Sequence, residues 1–211
     1  MQCGLLLNRE QNHDGGPGVK HARDGELVQA VLRNLPFTLT QAQQKAWQDI
    51  SSDMEDARPM HRLLQGDVGS GKTAVAAALC WAVIQNGMQA ALMAPTEILA
   101  SQHYHSLNAL LEPAKITCAL LTGSVKAAEK KKIYQALSDG RIQLVIGTHA
   151  LLGDKVEFQN LGLVITDEQH RFGVGQRSAL GQKGASPHLL VMSATPIPRT
   201  LGLLIYGDLD I

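Results

Sequence analysis

Six short apolar runs mark the chain: RLLQG at 62 to 66, QAALMA at 89 to 94, ITCALLT at 116 to 122, IQLVIGT, LGLVITDE and HLLVMSAT. Each is nearly continuous rather than alternating, which is how a strand reads when both of its faces are covered. Between them lie turns and helix-compatible segments: residues 72 to 85, the stretch from Pro95 through Leu111, and KAAEKKKIYQALSDG ending near Gly140. A strand, turn and helix repeated in this way predicts an α/β domain with a mostly parallel sheet, right-handed crossovers and helices on both faces. Ligands of such sheets bind beyond the carboxyl ends of the strands, and every distinctive polar cluster of this sequence falls at such an end.

The first run leads into GDVGSGKT at 66 to 73, which fits G-x-x-x-x-G-K-[ST] between a strand and a helix. Gly66, Gly69 and Gly71 let backbone N–H groups close around phosphate oxygens, with Ser70 in the same loop, and the helix N-terminus favours negative charge there. Lys72 has the reach for the β and γ phosphates, and the Thr73 hydroxyl can ligate Mg²⁺. This is the pattern of a P-loop, expected to bind a nucleoside triphosphate.

The fifth run ends in TDEQH at 166 to 170. Alone, an Asp-Glu pair is better read as a solvated acidic turn. Downstream of a phosphate loop and at a strand tip, Asp167 is expected to hold Mg²⁺ and Glu168 to deprotonate the attacking water. MSATPIPRT follows the last run, where Ser193 and Thr195 can hydrogen-bond the acidic cluster and report nucleotide state. Ahead of the first run, LPFTLTQAQ offers Phe37 to stack on a base and Gln43 to read both edges of adenine. An N-cap at Thr40 opening a helix accounts for most of that segment equally well.

Three further clusters, APTEILASQ, LTGS and GTHALL, also lie at strand ends. Pro95, Thr96, Thr122, Gly123, Thr148 and His149 form a candidate groove for a nucleic-acid strand, contacted through hydroxyls and backbone N–H groups. Small hydroxyl residues capping helices explain each cluster alone just as well.

Composition narrows the partners. Nineteen basic and 19 acidic residues cancel, so no basic footprint supports tight autonomous nucleic-acid binding. Three scattered cysteines suit a reducing, cytoplasmic compartment better than a disulfide scaffold. The eight histidines lack metal-ligand spacing, and His103 and His105 read as surface residues. The longest apolar run, AVAAALCWAVI, falls short of the roughly 20 residues that span a bilayer and is expected to be a buried helix. Residues 1 to 34, Gly-rich and polar in part, read as a flexible leader or the remnant of a preceding region, with the domain running from 35 to 211.

Taken in order, these clusters resemble the first RecA-like motor domain of superfamily 2 helicases, from an adenine-reading segment through the phosphate loop and a DExH box to SAT. RLLQGDVGSGKT, LMAPTEILASQH, VIGTHALL, LVITDEQHRFGVGQR and MSATPIPRTLGLLIYGDLDI are similar, in that order, to the RecG family of bacterial DNA helicases. The transcription-repair coupling factors are the neighbouring family, but Ser70 in the loop, His170 in DEQH and the YGDLD ending favour the RecG type.

The resemblance implies ATP and Mg²⁺ as cofactors and translocation on double-stranded DNA at forks and Holliday junctions, in repair and recombination. It implies ATP contacts from Gln43, Gly69, Gly71, Lys72 and Thr73, with Asp167 and Glu168 catalytic. His170, together with Ser193 and Thr195, would couple nucleotide to DNA. It also implies a wedge domain and a second motor domain acting in cis, neither recognisable in these residues. An arginine finger from such a second domain is worth about 10³ to 10⁵ in rate in related phosphoryl transfer. The chain alone is therefore expected to bind nucleotide weakly, to hydrolyse it slowly and not to unwind DNA.

Overall fold

A computed structural model describes residues 39–54, 59–112, 115–167 and 180–194. The expected leader over residues 1 to 34 lies outside the described residues. The described elements begin with helix α1 (Gln41–Asp53), then strand β1 (His61–Gln65) and helix α2 (Lys72–Gln85). Next come β2 (Gln89–Met93), α3 (Glu97–Leu111), β3 (Cys118–Leu121), α4 (Ala127–Ser138) and β4 (Leu144–Gly147). A 3₁₀ turn at His149–Leu152 precedes β5 (Leu161–Asp167) and β6 (His188–Ser193). Each strand lies within one of the six apolar runs or starts one residue before it, and all but β1 are shorter than their run by one to three residues. The runs were read with their flanking turn residues included.

The strands form one sheet in the order β1-β6-β5-β2-β4-β3, and every pairing is parallel. Successive residues of a strand face opposite sides, which divides the core in two. Ala90 and Leu92 of β2, with Ile146 and Ile165, pack on the side that carries α1, α2 and α3. Ala91 and Met93, with Val145 and Val164, pack against α4 and the chain around Leu151 and Val156. The expected α/β architecture, a parallel sheet with helices on both faces, is the one observed.

Helix α2 is buried from Ala74 through Trp81 without a break, then again at Val83 and Ile84. A helix apolar all round belongs in a core, and its alanines let it sit close to both α1 and the sheet. The apolar run read as a buried helix is therefore that. No helix of the described residues is long and apolar enough to cross a membrane. Cys80 and Cys118 are free thiols. Burial pushes Cys80 far up, and pushes Cys118 up to about 11.

Two close approaches set the shape of the sheet. A Cβ on Gly147 would lie 2.1 Å from the Leu121 carbonyl oxygen, so the end of β4 meets β3 at a distance only glycine permits. Between β2 and β5 the register shifts at Gln89/Ala90. This leaves Gly162 under Met88 and Val83, where a side chain would collide with both.

Candidate functional site

The carboxyl edge of the sheet divides into two halves. Strands β1, β6 and β5 carry one group of polar residues at their ends, and β2, β4 and β3 carry the other. The first half holds the glycine loop. Leaving β1, the chain turns at Gly66, whose N–H donates to the Ser193 carbonyl at 3.1 Å and so ties the loop to the end of β6. Gly69 and Gly71 adopt left-handed backbone at φ 81° and 83°. At Gly71 the left-handed backbone favours glycine, and a Cβ would also displace the Gln43 amide, 2.2 Å away, from its contact with the loop.

Gly71 is the N-cap of α2 and supplies no side chain to the first-turn N–H groups. A helix N-terminus left in this state presents amide donors and a positive dipole end to an anion. Lys72 Nζ folds back to donate to the carbonyls of Gly66 at 2.6 Å and Asp67 at 2.9 Å, placing its charge inside the ring. The donor set fits a polyphosphate in kind: the first-turn amides of a helix without a side-chain cap, and a lysine ammonium held at the same loop. Thr73 occupies the next position of the first turn.

Gln43 reaches the loop from α1. Its Nε2 donates to the Ser70 carbonyl at 2.5 Å, while its Oε1 accepts from the Thr40 N–H at 2.9 Å. Thr40 Oγ1 in turn accepts from the Gln43 N–H, closing a capping box. One amide thus closes the capping box expected at Thr40 and also holds the glycine loop, a contact the sequence did not suggest.

Asp167 is the last residue of β5, almost fully buried, with Met192 of β6 beside it in register. Its Oδ2 lies 2.6 Å from His103 Nε2, and both side chains are about one-eighth exposed, 12% and 13%. His103 comes from α3, so the reading of His103 as a surface residue is corrected: its ring turns inward onto the strand end. His105, two positions on, is exposed as expected. Nothing in the pattern H-Y-H separates these two, because which face of α3 looks at β5 is set by tertiary packing. Thr166, next to Asp167, has a buried hydroxyl without a hydrogen-bond partner. Phe37, Glu168, His170 and Thr195 lie outside the described residues.

The second half brings together the residues read as a candidate groove, since β2, β4 and β3 are neighbours. Thr96 Oγ1 caps α3 by accepting from the Leu99 N–H at 3.2 Å. Thr148 is buried, and its hydroxyl has no hydrogen-bond partner among the described residues. Pro95 is half-buried, while His149 and Gly123 are exposed. Thr122 Oγ1 bonds Ser124 Oγ at 2.9 Å. Ser124 donates its N–H (3.1 Å) and its hydroxyl (2.7 Å) to the carboxylate of Glu97, and Lys130 Nζ holds the Gly123 carbonyl at 2.8 Å. The Ser124 hydroxyl, then backbone N–H donors and Lys130, hold the Glu97 carboxyl below its usual range. Glu97, Ser124 and Lys130 were not singled out from sequence. A first-turn glutamate reads as a helix-dipole partner, and its contact to a turn 27 residues away has no local signal.

A parallel sheet in which β1 feeds a glycine loop onto a helix N-terminus, with a buried aspartate two strands over, defines a P-loop nucleotide-binding fold. The DEAD/DEAH box helicase family model matches residues 40–203, and the chain belongs to that family. Within it, the chain is 52% identical over 211 residues to the ATP-dependent DNA helicase RecG of Streptococcus pneumoniae, which covers all of this chain and 31% of that protein. The Bacillus subtilis RecG is 49% identical, over all of this chain and 30% of its own length. The solved structure of RecG bound to a three-way DNA junction superposes with a TM-score of 0.84 at 47% identity, covering 96% of this chain and 27% of that one. A DEAD box protein of Methanococcus jannaschii, 24% identical with a TM-score of 0.64 over 88% of this chain and 52% of that one, shares the fold. The resemblance to RecG motor domains drawn from the motifs thus holds along the whole chain, which spans about a third of the length of these relatives.

Proposed function

We propose that this chain is the ATP-binding motor domain of a RecG-type DNA helicase, which couples ATP hydrolysis to movement along branched DNA. The observation that carries the reading is the loop at 66 to 73, held open by left-handed glycines on an uncapped helix end and tied through Gly66 to the strand end at Ser193. In this reading the backbone amides and Lys72 bind the β and γ phosphates, Gln43 reads adenine and Phe37 stacks on it. Thr73 and Asp167 would hold Mg²⁺, which neutralises charge developing on the phosphate oxygens. Glu168 takes a proton from the water whose oxygen bonds to the γ phosphorus as the bridge to the β phosphate breaks. His170, Ser193 and Thr195 pass the nucleotide state on.

The other half of the edge, with Pro95, Thr96, Thr122, Gly123, Thr148 and His149, faces DNA in this proposal. Forks and Holliday junctions are the substrates and a second motor domain the partner in cis, in the cytoplasm. Residues 35 to 211 form the domain, and residues 1 to 34 a leader or the remnant of a preceding region. Without an arginine from a facing domain, the 211 residues alone are expected to turn ATP over slowly.

The test is thermal unfolding. A non-hydrolysable ATP analogue with Mg²⁺ should raise Tm by mass action, by about 2.7 kcal/mol of stability at a hundredfold excess over Kd. Lys72→Ala should abolish the shift. No shift in the parent chain, or an undiminished one in the Lys72 variant, overturns the assignment. A shift of equal size with GTP overturns the role of Gln43 alone.

A further inference from the structure

Asp167 is held by one side chain that the nucleotide site does not otherwise use. His103 Nε2 meets Asp167 Oδ2 at 2.6 Å, and each side chain is only about one-eighth exposed. With the proton of the ring on Nε2, the imidazole donates and the carboxylate oxygen Oδ2 accepts. The two residues stand 64 positions apart and on different elements, α3 and the tip of β5. The contact is therefore a product of the fold rather than of local chain geometry.

A carboxylate at a strand end can rotate about χ2 and present either oxygen. A short hydrogen bond to one oxygen removes that freedom and leaves the other with a fixed direction. Partners of this kind set the affinity of metal sites by orienting the ligand, and losing one typically costs about 10- to 100-fold in metal affinity.

We infer that His103 is a positioning residue for the nucleotide-associated divalent cation: it fixes Asp167 through Oδ2 so that the carboxylate is oriented for the metal before the metal arrives. The inference rests on the proposed role of Asp167 at the ATP site. It also gives α3 a second function, because the same helix carries the Thr96 cap and Glu97 at its first turn. A single rigid element then runs from the second half of the sheet edge to the aspartate of the first.

Binding of Mn²⁺ to the chain with ADP, followed by electron paramagnetic resonance, tests this without relying on turnover. His103→Leu should weaken Mn²⁺ binding about tenfold, while ADP affinity measured with chelator present stays within twofold. His103→Gln, whose amide nitrogen can take the place of Nε2, should recover most of the loss. His103→Asn, too short to reach, should behave like leucine and replaces it if leucine unfolds the chain. Equal losses of metal and nucleotide affinity, or a glutamine variant as weak as leucine, would sink the inference. Asp167→Asn separates the two levels of the argument. If it leaves Mn²⁺ binding unchanged, the metal reading of Asp167 fails and the role of His103 fails with it. If it abolishes binding while His103→Leu does not, only the role of His103 is overturned.

Discussion

At Gly147 a single methyl group decides whether two strand ends can meet. The Leu121 carbonyl would stand 2.1 Å from an added Cβ, and a backbone oxygen cannot swing aside as a flexible side chain can. Gly147→Ala should therefore destabilise the fold by about 1–3 kcal/mol, the range for forcing atoms into a packed core, and urea unfolding would measure it. Variants at Gly153 make a control, since a Cβ there meets nothing closer than 3.5 Å. The glycines of the 66 to 73 loop were legible in the sequence because a known spacing demands them. Gly147 was read only as part of VIGTHALL, since its need arises from a neighbouring strand and leaves no mark in its own segment. His103 is the same case in a side chain: helix spacing shows that 103 and 105 face different ways, but not which of them faces Asp167.

Among the elements, β2 has an unusual first residue. Gln89 is buried, and its amide makes three bonds: Nε2 donates to the carbonyls of Leu137 (2.9 Å) and Ile142 (2.7 Å), and Oε1 accepts from the Asn160 N–H (3.0 Å). One side chain thereby joins the end of α4, the approach to β4 and the approach to β5. Gln89→Leu would keep the volume and leave backbone groups of all three segments without that partner, at about 1–3 kcal/mol for each buried group that finds no other. The Leu137 carbonyl keeps the Gly140 N–H, so two groups lose their partner and a loss of about 2 kcal/mol or more is expected in chemical unfolding, whereas a change below about 0.5 kcal/mol would show that water or relaxation replaces the amide. The polar residue opening QAALMA gave no hint of this role. The helices themselves were legible. Periodicity and cap residues act locally, and Thr40 and Thr96 both cap the helices they precede.

For the molecule as a whole, the sequence carried the α/β class and the parallel direction of the sheet, because continuous apolar runs and crossover segments follow from burial on both faces. The strand order was not legible, since one continuous apolar run pairs as well as another. That order places the glycine loop, Ser193 and Asp167 on three adjacent strands, and the candidate groove on the other three. Among the described residues, β1 has β6 as its sheet neighbour. A chain cut after residue 187 keeps β5, β2, β4 and β3 but removes that neighbour, so it should lose the ATP-dependent rise in Tm. A full-sized shift in the truncated chain would show that β1 and α2 hold the loop by themselves.

The pairing of β1 with β6 has a further consequence during synthesis. Met60 and His188, joined by a hydrogen bond, are 128 residues apart, and contacts of long sequence separation form late because the loop between them must first close. As the nascent chain leaves the ribosome, the glycine loop is among the first described segments to emerge. Among the described strands its neighbour β6 is the last, so the anchorage of the loop on β6 is delayed until the strands between them have been made.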